Sequence, residues 1–228
     1  MSSIEEAFSQ DRFQSLIDGA VDKVCFLQAA DGLLIETEPP QDIVLFPGSF
    51  NPLHIGHQQM AGIAATRLQR QTWFEISLSN VDKASLSYDD VLRRLQQFEH
   101  ERYFATTKDS GLTLEPTRPG VVLTSAPTFE EKLRLFPDCV FVVGADTITR
   151  INDLRFYQDV AHRADVLRDF GEGLERRREQ KRFLVFGRWR KDDFELDQVE
   201  LASELRVQCD FVSQREFAQR VSSTELRG

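Results

Sequence analysis

Two of the chain's four histidines, His54 and His57, stand three residues apart. On a helix that spacing places both imidazoles on one face of one turn, where they can address a single group. Just upstream, Ile43 to Phe46 is a short run of apolar residues of the kind found in strands buried on both faces. The run breaks at Pro47 and Gly48, turns through Ser49, Phe50, Asn51 and Pro52, and enters a helical pattern near His54. A strand, a glycine turn and a helix N-terminus gather backbone N–H groups and a positive dipole end at one spot. Gly56, between the histidines, is small enough for another backbone or a ligand to come close. The chemistry suited to this spot is the handling of an anion, and a phosphate fits it.

A second stretch near the end of the sequence, Ser222-Ser223-Thr224, reads as the capped start of a helix. An ordinary N-cap accounts for those three residues. With Arg227 one turn on, the hydroxyls and first-turn N–H groups also make an anion site. Asp146 follows a buried strand at its carboxyl end, where open α/β sheets bind ligands, and Arg188 follows another such strand. Lys83 lies in the loop after the second strand of the main domain, where a solvated lysine is equally natural. Trp73 and Trp189 could stack on a base, although packing is the commoner fate of tryptophan.

The stretch Gly48 to His57, reading G-S-F-N-P-L-H-I-G-H, resembles the signature of the nucleotidylyltransferase superfamily. The Phe-Asn-Pro before the histidine pair is similar to the pyridine-nucleotide branch, the nicotinamide or nicotinate mononucleotide adenylyltransferases. Val221 to Arg227, V-S-S-T-E-L-R, is similar to the second signature of that superfamily, and the resemblance covers about Asp42 to Arg227. It implies adenylyl transfer from ATP to a pyridine mononucleotide, giving the dinucleotide and pyrophosphate. His54 and His57 are implied as the catalytic pair on the ATP phosphates. Gly48, Ser49, Phe50, Gly56, Lys83, Ser223, Thr224 and Arg227 are implied around ATP and its phosphates. Asn51, Gly144, Asp146 and Arg188 fall to the nucleotide pocket. Mg²⁺ is expected to arrive with ATP, because no cluster of carboxylates, Cys or His has the spacing of a dedicated metal cage.

Two rival readings stay open. Pantetheine-phosphate adenylyltransferases and CTP-using enzymes of the superfamily usually carry an acid where this chain has Asn51, which favours the pyridine branch. A nucleotide-binding sensor that turns over poorly is the other. The string H-I-G-H also occurs in class I aminoacyl-tRNA synthetases, but the lysine-rich second signature of those enzymes is missing here.

The elements that must hold these residues follow from hydropathy. Strand-like runs at 73–78, 121–124, 140–143, 183–186 and 211–212 alternate with helical patterns at 54–68, 89–102 and 126–136. That alternation predicts an α/β, Rossmann-like, doubly wound parallel sheet with helices on both faces. Glu38 to Gln41 reads as a break, dividing an N-terminal extension, 1–41, from a nucleotidylyltransferase-like domain, 42–228. Within the extension, Ile4 to Val21 reads as one amphipathic helix and Val24 to Ile35 as a hairpin about Asp31-Gly32. The charged stretch Arg168 to Arg182 reads as an exposed loop or helix edge.

Composition narrows the partners. A net charge of −9 repels nucleic acid and anionic membranes over most of the surface, so any phosphate site has to be built locally. No apolar run approaches the ~20 residues of a membrane span, and the acidic start lacks the order of a signal peptide. Cys25, Cys139 and Cys209 are far apart, as expected for free buried thiols in a reducing cytoplasm. The expected partners are ATP and a mononucleotide, with a homo-oligomer left open.

Overall fold

The computed structural model describes residues 4–79, 84–99, 118–172, 181–187, 189–190, 193–194, 196 and 199–217. In chain order the elements begin with α1 (Ile4–Ala7), α2 (Gln10–Ile17), β1 (Lys23–Gln28), β2 (Leu34–Glu36), β3 (Val44–Pro47) and α3 (Ile55–Leu68). Then come β4 (Thr72–Ser77), α4 (Tyr88–Gln96), β5 (Gly120–Thr124), α5 (Phe129–Leu135), β6 (Val140–Gly144) and α6 (Ala145–Asn152). A short 3-10 turn, Leu154–Phe156, leads to α7 (Val160–Asp169), β7 (Phe183–Phe186), β8 (Trp189–Arg190), β9 (Asp193–Phe194), α8 (Ser203–Arg206) and β10 (Cys209–Val212).

Among the described residues, one sheet has the order β10-β7-β6-β3-β4-β5-β1-β2, and β8 pairs with β9 as a separate ribbon. From β3 the chain steps outward through β4 and β5, then crosses back to β6 and continues to β7 and β10, all in parallel register. Winding in two directions from one strand gives the doubly wound α/β sheet that the sequence pattern predicts. The point of reversal, between β3 and β6, is where loops diverge and leave a crevice over the strands' carboxyl ends.

The strands are apolar on both faces because both faces are covered. Phe46, Phe74, Leu123 and Val142 share one core with Ala64 of α3 and Leu95 of α4. Leu45, Trp73, Val143 and Val185 share the other with Ile148 of α6 and Leu167 of α7. Trp73 is therefore a core residue, 1% exposed, with its ring seated against Gly120, where a Cβ would come within 2.3 Å of it.

Several boundaries differ from the sequence reading, each for a local reason. The helix expected over Ile4–Val21 is two helices, because the Ser9 hydroxyl accepts from Arg12 N–H and starts α2 anew. The hairpin expected at Val24–Ile35 is present as β1 and β2, with Gly32 at φ 92° in the turn. β1 lies antiparallel on β5, so the sheet is mixed at this edge rather than wholly parallel. The pattern at 126–136 becomes a helix only from Phe129, after Thr128 caps the first turn reciprocally with Glu131. The helix expected from Asp89 to Arg102 is α4, whose last helical residue is Gln96, with Gln97 as its cap. Arg182, placed by sequence at the end of an exposed stretch, is 1% exposed. Its guanidinium donates to the carbonyls of Phe170, Glu172, Pro137 and Cys139. Cys25, Cys139 and Cys209 are buried free thiols, each pushed up to about 12 chiefly by burial.

Candidate functional site

The carboxyl end of β3 leads through residues 48–54 into α3, and the carboxyl end of β6 leads directly into α6. β3 and β6 are neighbours, so two helix N-termini open onto the same crevice. The first amides of each helix lack partners within it and present partial positive charge there. Gly144 caps α6, and among the described residues a Cβ on it would meet nothing within 4 Å, so its side of the crevice has room. Asp146, in the first turn of α6, is half-buried.

His54 is the N-cap of α3 and His57 its third residue. Their rings stack, with centroids 3.6 Å apart and planes 21° from parallel. His57 Nδ1 accepts from the backbone N–H of His54 at 3.3 Å, which leaves the proton of a neutral ring on Nε2 as a donor. Phe50 and Phe46 meet the His57 ring edge to face at 5.0 and 6.0 Å and keep water from it. Burial, helped by the neighbouring His54, lowers its pKa from 6.5 to about 3. Burial lowers the pKa of His54 too. Both imidazoles are thus neutral at pH 7. His54 Nδ1 is buried and, among the described residues, makes no hydrogen bond of good geometry, although the His54 side chain faces the His57 N–H in a capping box.

The turn itself is shaped by Phe50. Its side chain is 1% exposed, wedged among Phe46, Phe74 and Phe98 at centroid distances of 5.4, 5.1 and 5.9 Å. Any contact from Phe50 to a nucleotide is therefore restricted to its backbone. Gly48 is required by that same ring, because a Cβ on it would lie 2.6 Å from the Phe50 Cζ. Phe50 also adopts φ 42°, a left-handed conformation that is strained for a phenylalanine. Ser49 and Asn51 are exposed at the tip, whereas Gly56 is buried in the first turn of α3.

The structure brings His54, His57, Gly48, Ser49, Asn51, Gly144 and Asp146 to one edge of the sheet, around the crossover between β3 and β6. Lys83, Arg188, Ser223, Thr224 and Arg227 lie outside the described residues. Sequence reasoning missed the residues that brace the turn. Arg94 donates to Ser49 O at 2.8 Å. Gln97 donates to Phe50 O at 3.0 Å and accepts from Leu53 N–H at 2.7 Å. Their spacing of three puts them on one helix face, but no sequence signal says that this face meets a turn 44 to 47 residues earlier. A buried cluster was missed as well: Glu75 accepts from Lys132 at 3.0 Å and from Thr124 at 2.6 Å, beneath the turn after β5.

A doubly wound sheet with helix N-termini converging at its reversal point is the architecture of a nucleotide-binding α/β protein. The Cytidylyltransferase-like family model matches residues 45–228, from β3 to the end of the sequence, and the chain belongs to that family. The chain is also 31% identical over 119 residues to a protein of Bacteroides thetaiotaomicron named "Probable nicotinate-nucleotide adenylyltransferase". That similarity covers 50% of this chain and 56% of the relative, so the chain spans about half the length of the relative it matches.

Proposed function

We propose that the protein transfers an adenylyl group from MgATP to a pyridine mononucleotide, nicotinate or nicotinamide mononucleotide. An oxygen of the mononucleotide phosphate attacks the α-phosphorus of ATP. The new P–O bond forms as the α–β bridging P–O bond breaks, and pyrophosphate leaves with the bridging oxygen. The attacking oxygen is already anionic near neutral pH, so little work falls to a general base. The barrier is charge repulsion and alignment, and fixed donors around the transferring group lower it.

The observation that carries this reading is the stacked, neutral His54–His57 pair at the start of α3, beside the crevice. Fixed by its bond to the His54 amide, His57 offers Nε2–H as a donor without a competing proton on Nδ1. His54 offers a buried Nδ1 with no hydrogen-bond partner among the described residues. An arriving phosphate accepts from His57 Nε2–H and favours the protonated form of His54, so the pair is able to meet negative charge as it builds opposite. Mg²⁺ travels with the ATP phosphates as part of the substrate and screens their repulsion of the acceptor. Asn51 at the tip of the turn and the Bacteroides thetaiotaomicron relative's name support the pyridine branch.

Pyrophosphate release with MgATP, assayed against nicotinate mononucleotide, nicotinamide mononucleotide and pantetheine phosphate, tests the proposal. A pyridine mononucleotide is expected to give the highest kcat/KM. Preference for pantetheine phosphate moves the activity to another branch. ATP binding without turnover on any acceptor leaves the sensor reading in its place.

A further inference from the structure

We propose that Arg94 and Gln97 of the α4 C-terminal turn are positioning residues for the phosphate turn 48–53, setting its affinity for the triphosphate without touching it. The inference rests on the reading of that turn as the site of the ATP phosphates. An anion-binding turn must direct its N–H groups at the ligand and its carbonyls elsewhere, since a carbonyl oxygen facing a phosphate repels it. Ser49 and Phe50 supply two consecutive carbonyls in this turn, and α4 takes both. Arg94 Nη1 holds Ser49 O at 2.8 Å, and Gln97 Nε2 holds Phe50 O at 3.0 Å. The other end of the same amide holds Leu53 N–H at 2.7 Å, so Gln97 spans the turn from Phe50 to Leu53.

The backbone conformation shows why a brace is needed. Phe50 sits at φ 42°, which a non-glycine residue keeps only where its surroundings over-determine it. Phe46 and Phe74 of the sheet hold the ring from one side, and two further constraints come from one end of α4. Phe98 packs against the Phe50 ring at 5.9 Å, while the adjacent Gln97 holds the Phe50 carbonyl. The buried ring fixes where Phe50 is, and the polar clamp fixes which way its peptide faces. Without the clamp, the strained peptide can rotate and swing its carbonyl towards the ligand while the ring stays seated. The His54–His57 pair follows immediately in sequence, so a shift of the turn also moves the N-cap of α3.

Because the effect is on the phosphate turn, it separates by substrate. Full-length Arg94→Ala and Gln97→Glu are each expected to weaken MgATP roughly ten- to a hundredfold in KM and in calorimetric Kd, as small displacements of a preorganised site do. KM for the mononucleotide should stay within about twofold, and the thermal midpoint within a few degrees. Gln97→Glu is the sharper variant: it keeps an acceptor for Leu53 N–H and the side-chain size, but turns a carboxylate oxygen on Phe50 O. Arg94→Lys should restore much of the loss, because one ammonium donor suffices for one carbonyl. Unchanged MgATP affinity in folded Arg94→Ala and Gln97→Glu overturns the inference. So does an equal loss for both substrates that tracks a fall in thermal midpoint, which marks a purely structural role. Inorganic triphosphate binding, followed calorimetrically, keeps the test separate from the proposed reaction. If wild type binds triphosphate but transfers no adenylyl group, the activity fails and the brace is still read from binding. If wild type binds no phosphate at all, the turn is not a phosphate turn and both readings fall.

Discussion

Arg182 is buried and His57 half-buried, one beside each end of the sheet's strands, and their surroundings treat them differently. Arg182, at the amino end of β7, is 1% exposed and donates to four backbone carbonyls, those of Phe170, Glu172, Pro137 and Cys139. It ties the end of α7 and the approach to β6 to β7 with no carboxylate involved in those bonds. His57, beyond the carboxyl end of β3, is pressed between phenylalanine rings and a second imidazole, with His54 Nδ1 left without a hydrogen-bond partner among the described residues. Satisfied donors stabilise a fold, whereas donors kept dehydrated and incompletely used are costly unless a ligand completes them. The contrast between the two ends separates residues that hold the molecule together from residues arranged to meet something else.

Removing Arg182 tests the first half of that contrast most severely. Arg182→Met should lower unfolding free energy on the order of 4 kcal/mol, since several buried carbonyls lose their donor at once. Urea denaturation measures it, and a loss below about 1 kcal/mol would mean that water or a local shift replaces the guanidinium. Turnover per folded molecule should stay near wild type.

The reverse pattern is expected at the other end. His57→Ala should leave a folded protein while cutting kcat roughly a hundredfold or more, about 3 kcal/mol on the barrier, as loss of a preorganised donor does. Near-normal turnover in the folded variant would remove His57 from the chemistry and collapse the distinction between the two regions.

Acid should expose the dehydration of the pair directly. The pKa of His57 lies at about 3 in the folded protein, against an ordinary 6.5, so the unfolded chain binds its proton first. Its contribution to stability is complete above about pH 6.5 and is lost as pH falls towards 3; His54 adds to the loss in the same direction. Thermal midpoints taken between pH 7.5 and pH 5 should therefore fall less in His57→Ala than in wild type. Added pyrophosphate should protect wild type more than the variant. Parallel curves without ligand would mean that the imidazole is hydrated in solution.

The smallest effect belongs to a residue at neither extreme. Thr128→Ala removes the cap of α5, whose hydroxyl accepts from Glu131 N–H at 3.2 Å, and should cost about 1 kcal/mol. Kinetic constants should not change. A drop in kcat would mean that the turn after β5 takes part in the reaction.

Much of this organisation is legible in the sequence, and particular residues show where legibility stops. The buried-type runs around Val44, Val121, Val140 and Phe183 announce central strands, because a strand covered on both faces leaves no polar alternation to misread. Asp31-Gly32 announces the β1–β2 turn. The sequence pattern does not say that β1 will lie antiparallel on β5, since backbone pairing across about 97 residues leaves no local trace. Ser9 could have been recognised as a cap, but the apolar periodicity running through it suggested one continuous helix. Arg94 and Lys132 look like any helix-face cation. Only their partners, Ser49 O and Glu75, distinguish a brace and a buried ion pair from a solvated surface.

Local residue types suffice for the strand, turn and helix that carry His54 and His57, because apolar runs, glycine and proline breaks and three-residue spacing act over a few bonds. The alternation of those runs with helical patterns likewise suffices for the α/β class. The chemical state of the histidines arises only when distant segments pack. Phe46, Phe50 and the stacked partner ring remove water from His57, and the His54 amide selects its tautomer. The same holds for Phe50, which resembles a ligand-binding position in sequence and becomes a core side chain with a strained backbone once Phe74 and Phe98 close around it. Protonation, strain and hydrogen-bond partners depend on which groups exclude water from which others, and that is fixed only when distant segments pack.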